Sequence, residues 1–199
     1  MKREVDNSIA TLDSNGSNDR CKSICEAVIL AGGKSSRMGV DKTSLVLSGR
    51  TLLVHVKDLL LAAGFKPKVV VNDLQPGLGP VGGVITALQN TESPYVMFLG
   101  CDMPFLSLDL LGDFFKSAIK LKSAIFTRHA KGLGFPFFLL REDLNKVQQQ
   151  VDNNELSLQC LANALSARVW EPSRRFESQL FNINSPEDLA EARCRVMEE

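Results

Sequence analysis

The chain has 199 residues, 44% hydrophobic and 23% charged, the make-up of one globular domain able to bury its own core. Twenty-three Lys and Arg balance 23 Asp and Glu, and this zero net charge excludes a generic nucleic-acid surface, which needs a basic excess. No run approaches the ~18 apolar residues of a membrane span. Five scattered cysteines, two histidines and no C-x-x-C argue against a structural zinc site and for a reducing cytoplasm.

Residues 1–22 are polar and rich in Ser, Asn and Asp, which reads as a disordered N-terminal extension. They carry no apolar core of a secretory signal, and Glu4, Asp6, Asp13 and Asp19 oppose a transit peptide. The folded domain is expected over 23–199. It opens on Glu26-Ala27-Val28-Ile29-Leu30, a short apolar run ended by Ala31-Gly32-Gly33, as expected of a buried parallel strand. Leu52, Leu53, Val56, Leu59, Leu60 and Ala63 recur at helical spacing up to Gly64.

Lys68 to Asn72 reads as a strand, Gly77 to Gly83 as a glycine-rich loop and Val84 to Gln89 as a short helix. A second buried strand, Tyr95 to Leu99, precedes Gly100-Cys101-Asp102, and Leu108 to Ile119 is helical. Strands over Ser123 to Thr127 and Phe135 to Leu140 follow, then helices over Asp143 to Val151 and Glu155 to Ala164, and a strand at Arg168 to Trp170. Ser185-Pro186-Glu187-Asp188 is a capping sequence: Ser185 suits the N-cap, Pro186 the first helical position, and Asp188 can reach back. It opens a last helix to about Met197. The alternation predicts a three-layer α/β/α domain with a mostly parallel sheet, whose ligands bind beyond the carboxyl ends of the strands.

The loops after Leu30, Asn72 and Leu99 are therefore the places for chemistry. Lys34, Arg37 and Lys42 put three cations beside paired glycines, a composition suited to a polyphosphate. Gly33-Lys34-Ser35 is not a P-loop, because Val28 stands where that motif needs its first glycine. Gly77-Leu78-Gly79-Pro80-Val81-Gly82 fits G-x-G-x-x-G with Asp102 downstream, a dinucleotide fingerprint on paper. Four residues nevertheless separate the strand from Gly77, and Pro80 removes an amide, so a dehydrogenase is disfavoured. Asp102, just past a buried strand, suits a phosphate-bound Mg²⁺, with Asp73 the natural second acid. His55 reads as structural, His129 as part of a solvated basic loop, and the cysteines, Phe135 to Phe138 and Trp170 as packing.

These residues resemble those of molybdenum cofactor guanylyltransferases, α/β nucleotidyltransferases with a Rossmann-like fold. Leu30 to Lys42 is similar to that family's LAGG-x-S-x-RMG-x-DK signature, and Asp73 with Pro76-Gly77 to its D-x-x-P-G. Gly79 to Gly83 resembles its GPL-x-G loop, Cys101 to Pro104 its C-D-x-P, and Asn182 to Leu189 its N-x-N-[ST]-P-E-D-L. The resemblance implies transfer of GMP from GTP to the phosphate of molybdopterin or molybdenum-molybdopterin, with release of pyrophosphate. It implies Mg²⁺ on Asp102, and charge neutralisation by Lys42 and Arg37. Leu30, Ala31, Gly32, Gly33, Asp73, Lys42 and Asp102 would meet the nucleotide, and Asn182 and Asn184 the pterin. Molybdenum-cofactor insertion chaperones and molybdoenzymes would be further partners.

Gly33 and Asp41 match the guanylyl branch rather than its cytidylyl relatives, so CTP or another nucleoside triphosphate is the alternative donor. The family usually places two strands between its first long helix and D-x-x-P-G, whereas Gly64 to Asp73 leaves room for one. A nucleotide-binding homologue without turnover is the alternative this departure raises.

Overall fold

The computed structural model describes residues 24–32, 42–71 and 77–197. The extension over 1–22, together with Gly33, Lys34, Arg37, Asp41, Asn72 and Asp73, lies outside the described residues. Strand β1 spans Cys25–Leu30 and is buried on both faces. Strand side chains alternate, so Ala27 and Ile29 enter one core while Val28 and Leu30 enter the other.

After a 3-10 turn at Lys42–Ser44 come β2 (Val46–Leu47) and β3 (Arg50–Thr51). They are joined by Ser48-Gly49, both at positive φ (50° and 77°), as a type I′ hairpin turn requires. Helix α1 (Leu52–Ala62) is capped by Thr51, whose hydroxyl accepts from the Val54 amide at 3.3 Å. The chain continues as β4 (Lys68–Val70), α2 (Pro80–Gln89), β5 (Tyr95–Gly100) and α3 (Leu108–Leu121). A hairpin of β6 (Ile125–His129) and β7 (Gly132–Leu140) follows, then α4 (Leu144–Asp152), α5 (Leu158–Ala164), β8 (Arg168–Trp170), a 3-10 helix over Arg174–Leu180 and α6 (Pro186–Met197).

Six strands form one sheet in the order β4-β1-β5-β7-β6-β8. Only β7 runs against its neighbours, because a two-residue turn at Ala130-Lys131 joins it to β6. Helices α1 and α3 cover one face, and α2, α4 and α5 the other, which gives the expected three layers. Phe98, Phe137 and Phe126 lie side by side across β5, β7 and β6 and stack with centroid separations of 4.8 and 4.7 Å.

Several boundaries depart from the sequence reading, among them the start of β7 at Gly132 rather than Phe135. Helix α2 starts at Pro80 rather than Val84, since proline suits the first helical turn and buried Gly82 and Gly83 let the helix lie close to the sheet. Strand β6 runs through Arg128 to His129, where a solvated loop was expected, because it pairs with an equally extended β7. Helix α5 starts at Leu158 rather than Glu155, where the Ser157 hydroxyl caps it by accepting from the Cys160 amide.

A third, smaller core lies beside the main two. Leu45, Leu47, Leu52, Ile183 and Ala192 are buried together, flanked by Phe105, Phe181, Leu189 and Val196. It joins the segment after Lys42, the loop after β5 and helix α6. The predicted capping box closes α6: Asp188 Oδ2 accepts from the Ser185 amide at 2.9 Å, and Ser185 Oγ from the Asp188 amide at 3.2 Å.

The Phe stack locks the antiparallel half of the sheet to the parallel half. Phe137→Ala is expected to lower unfolding free energy by about 3–5 kcal/mol, read by urea denaturation.

Candidate active site

The site is built where parallel strands end together. Leu30 lies opposite Gly100 in register, and the ladder extends one residue further on each side. Cys101 N donates to Leu30 O at 3.1 Å, and Ala31 N to Val70 O at 2.9 Å. Asp102 therefore emerges next to Ala31 and Gly32. Its carboxylate turns back over the strand end: a Cβ on Gly100 would stand 2.5 Å from Asp102 Oδ1, so a side chain there would displace the carboxylate.

Lys42 reaches the same point from the far side of the glycine loop. Its Nζ donates to Asp102 Oδ2 at 2.8 Å and to Asn184 Oδ1 at 2.5 Å. The three residues come from motifs 60 and 142 positions apart. The Asn182–Asn184 segment is also fastened through its backbone, since Ile183 N donates to Asp102 O at 2.9 Å. Asp188 Oδ2 accepts from the Asn184 amide as well as from Ser185, so the α6 cap orients this loop. Asn182 keeps a buried side-chain oxygen without a hydrogen-bond partner. An orphaned buried acceptor is costly.

Of the sequence-derived candidates, Leu30, Ala31, Gly32, Lys42, Asp102, Asn182 and Asn184 gather at this rim. Arg37, Gly33 and Asp73 lie outside the described residues. Among the described residues no group of three or more His, Cys, Asp and Glu is placed to hold a metal ion. Asp102 offers a single carboxylate with Oδ2 engaged by Lys42 and side-chain exposure of 13%. That donor set fits a cation that takes its remaining ligands from phosphate and water, and does not fit an all-protein cage.

His129 is the residue that the sequence reading missed. As the last residue of β6 it stands at the same carboxyl rim, within the field of the Asp102 charge. Its Nε2 donates to Phe135 O at 2.6 Å, and its ring lies against Gly134, where a Cβ would come within 3.2 Å. The Phe135 ring in turn packs over Gly100. Burial pushes the imidazole below its ordinary value, a shift partly offset by the Phe135 carbonyl and by Asp102. The available signal was the hairpin itself, a short turn between two extended runs with glycines at Gly132 and Gly134. His55, by contrast, donates to Leu47 O at 2.9 Å and ties α1 to the β2–β3 hairpin. Among the described residues the one raised carboxyl, Asp143, is pushed up by burial and accepts from Leu140 N at the opposite end of β7.

The His129 shift carries a sign. The unfolded chain protonates this ring near the ordinary 6.5, while the folded chain resists until lower pH. Below that value the unfolded state binds more protons, so this stabilising contribution is present above 6.5 and fades as pH falls through the depressed folded pKa. In urea titrations the wild type should lose more stability between pH 7.5 and 5.5 than His129→Gln does; equal losses would refute the assignment.

Comparison with known proteins places this geometry in a family. The profile described as "MobA-like NTP transferase domain" matches residues 27–73 and 66–169, two segments that share 66–73. A protein of Syntrophotalea carbinolica named "Molybdenum cofactor guanylyltransferase" is 42% identical over 99 residues, covering 43% of this chain and 47% of that protein. The match thus spans about half the length of that relative. A "Probable molybdenum cofactor guanylyltransferase" of Peptoclostridium acidaminophilum is 27% identical over 189 residues, covering 82% of this chain and 86% of its own. The fold is shared with molybdopterin-guanine dinucleotide biosynthesis protein A of Archaeoglobus fulgidus, at a TM-score of 0.71, 20% identity, and coverage of 87% of this chain and 100% of that one. A profile match reaching from β1 to β8, on a sheet with this rim, makes the chain a member of the MobA-like NTP transferase domain family.

Proposed function

We propose that the protein transfers GMP from GTP to the terminal phosphate of molybdopterin or molybdenum-molybdopterin, forming molybdopterin guanine dinucleotide and pyrophosphate. The observation that carries this reading is the convergence of Lys42, Asp102 and Asn184 in one hydrogen-bonded cluster beside Ala31 and Gly32. A phosphate oxygen of the acceptor attacks the α-phosphorus of GTP, a new P–O bond forms, and the bond to the pyrophosphate oxygen breaks with its electron pair. The attacking oxygen is already anionic, so no general base is needed and catalysis rests on positioning and charge neutralisation.

Each residue then has a task. The backbone amides of Gly32 and Gly33 bind phosphate, the Ala31 amide being spent on Val70 O, and Arg37 adds a second cation to Lys42. Lys42, held between an acid and an amide, presents its ammonium where charge develops on the leaving pyrophosphate. Asp102 would hold Mg²⁺, which would supply positive charge to neutralise the triphosphate. Leu30 and Asp73 border the guanine nucleotide. Asn182 and Asn184 would meet the pterin, whose donor and acceptor edge a side-chain amide can read. Cys25 and Cys101 are buried thiols outside any disulfide, which suits a reducing cytoplasm, where insertion chaperones and molybdoenzymes would take up the product.

The second reading, a nucleotide binder without turnover, is favoured by one observation. Strand β4 is a three-residue sheet edge, and both segments of the family profile claim residues 66–73 around it. This is where the family carries a second strand.

With GTP, Mg²⁺ and molybdopterin, the protein should release pyrophosphate. Asp102→Ala and Lys42→Ala should each slow release about 100-fold or more, the scale of losing one preorganised electrostatic group. Gly100→Ala should also slow it by displacing the Asp102 carboxylate. A thermal-shift panel of GTP, CTP and NAD with and without Mg²⁺ should favour MgGTP. Binding without pyrophosphate would establish the second reading, and equal rates for wild type and Asp102→Ala would refute the mechanism.

A further inference from the structure

Arg195, near the end of α6, joins four segments of the chain. Its Nε and Nη2 donate to Glu191 Oε1 one turn earlier, at 3.2 and 2.5 Å. Its Nη1 donates to the Ser178 carbonyl of the Arg174–Leu180 3-10 helix at 3.2 Å. The guanidinium carbon stands 4.1 Å from the Phe181 ring centroid and 5.9 Å from that of Phe105. The two rings are themselves 6.2 Å apart.

An i,i+4 ion pair on a helix surface would need no further explanation. Arg195 does more than that, because it also engages a backbone carbonyl and two rings that border the site from other segments. Phe181 directly precedes Asn182, and Phe105 follows Asp102 by three residues. Both rings flank the small core in which Ile183 is fully buried, and the Ile183 amide donates to Asp102 O. A displacement of Phe181 therefore passes to Asn182, to the Ile183 amide bond, and to the Asn184 oxygen that holds Lys42. The planar guanidinium can stack and donate at once, which a lysine cannot.

We propose that Arg195 is a positioning residue for the acceptor side of the site, holding Asn182–Asn184 in register with Asp102 and Lys42 through its stack on Phe181. The kinetic part rests on the assignment of these asparagines to the acceptor; the structural part does not. The test compares full-length wild type, Arg195→Ala, Arg195→Lys and Glu191→Gln. Hydrogen exchange is followed at the Ile183 amide, and KM is measured separately for molybdopterin and MgGTP.

Arg195→Ala should speed Ile183 exchange and raise the molybdopterin KM about 3–10-fold, the scale of a cation–π contact at a partly exposed site, with the MgGTP KM unchanged. Arg195→Lys should fall between, and Glu191→Gln, which keeps the stack, should stay near wild type. Unchanged exchange in Arg195→Ala, or an equal rise in both KM values, overturns the proposal. So does an effect of Glu191→Gln as large as that of Arg195→Ala. If the wild type transfers no guanylyl group, the catalytic reading falls, and the exchange measurement still decides the role of Arg195.

Discussion

One ammonium group ties this site together. Lys42 Nζ binds Asp102 and Asn184 at once, in a pocket where the Lys and Asp side chains retain only 22% and 13% of their exposure. Partial burial makes the pair costly to form and more costly to break, because removing Lys42 would strand a carboxylate with little water around it. The arrangement commits three loops to one geometry. It also concentrates opposite charges where a polyphosphate and its cation would meet.

The sheet makes that geometry reachable. Parallel strands send their carboxyl ends to one rim, and β1 and β5 end in register, so the two loops that follow them start side by side. Helix α2 begins at the same rim, with Gly79 at φ 57° providing the bend into Pro80. The third core then brings in the far end of the chain. Its buried Ile183 sits between the two asparagines and spends its amide on Asp102. The residues proposed to face the ligand are thus held by residues that do not.

A further part of the rim comes from β7, which runs against its neighbours in the six-stranded sheet. Because β7 returns beside β5, Phe135 lies over Gly100 and His129 lies over Gly134. Glycines at these two contacts let an aromatic ring and an imidazole approach the carboxyl rim as closely as they do. A neutral ring there adds bulk and a hydrogen bond without adding a positive charge to compete with Lys42.

Much of the fold was legible in the sequence because its signals are local. A run apolar on both faces and ended by glycines could only be a covered strand, helical spacing marked α1 and α3, and Ser185 to Asp188 spelled out a cap whose partners lie three residues apart. The loop motifs likewise named Lys42, Asp102, Asn182 and Asn184 before any geometry was known. The start of α2 and the reach of β6 were not legible, because glycine and charged residues lose their usual meaning once a neighbouring strand or helix covers them. Contacts across 60 and 142 positions, the place of His129 at the carboxyl rim, and the reach of Arg195 to Phe181 depend on how the layers close. Local sequence determines periodicity and caps, whereas tertiary packing alone decides which loop ends share a rim, since that is set by the register of the strands and by what their shared cores can bury.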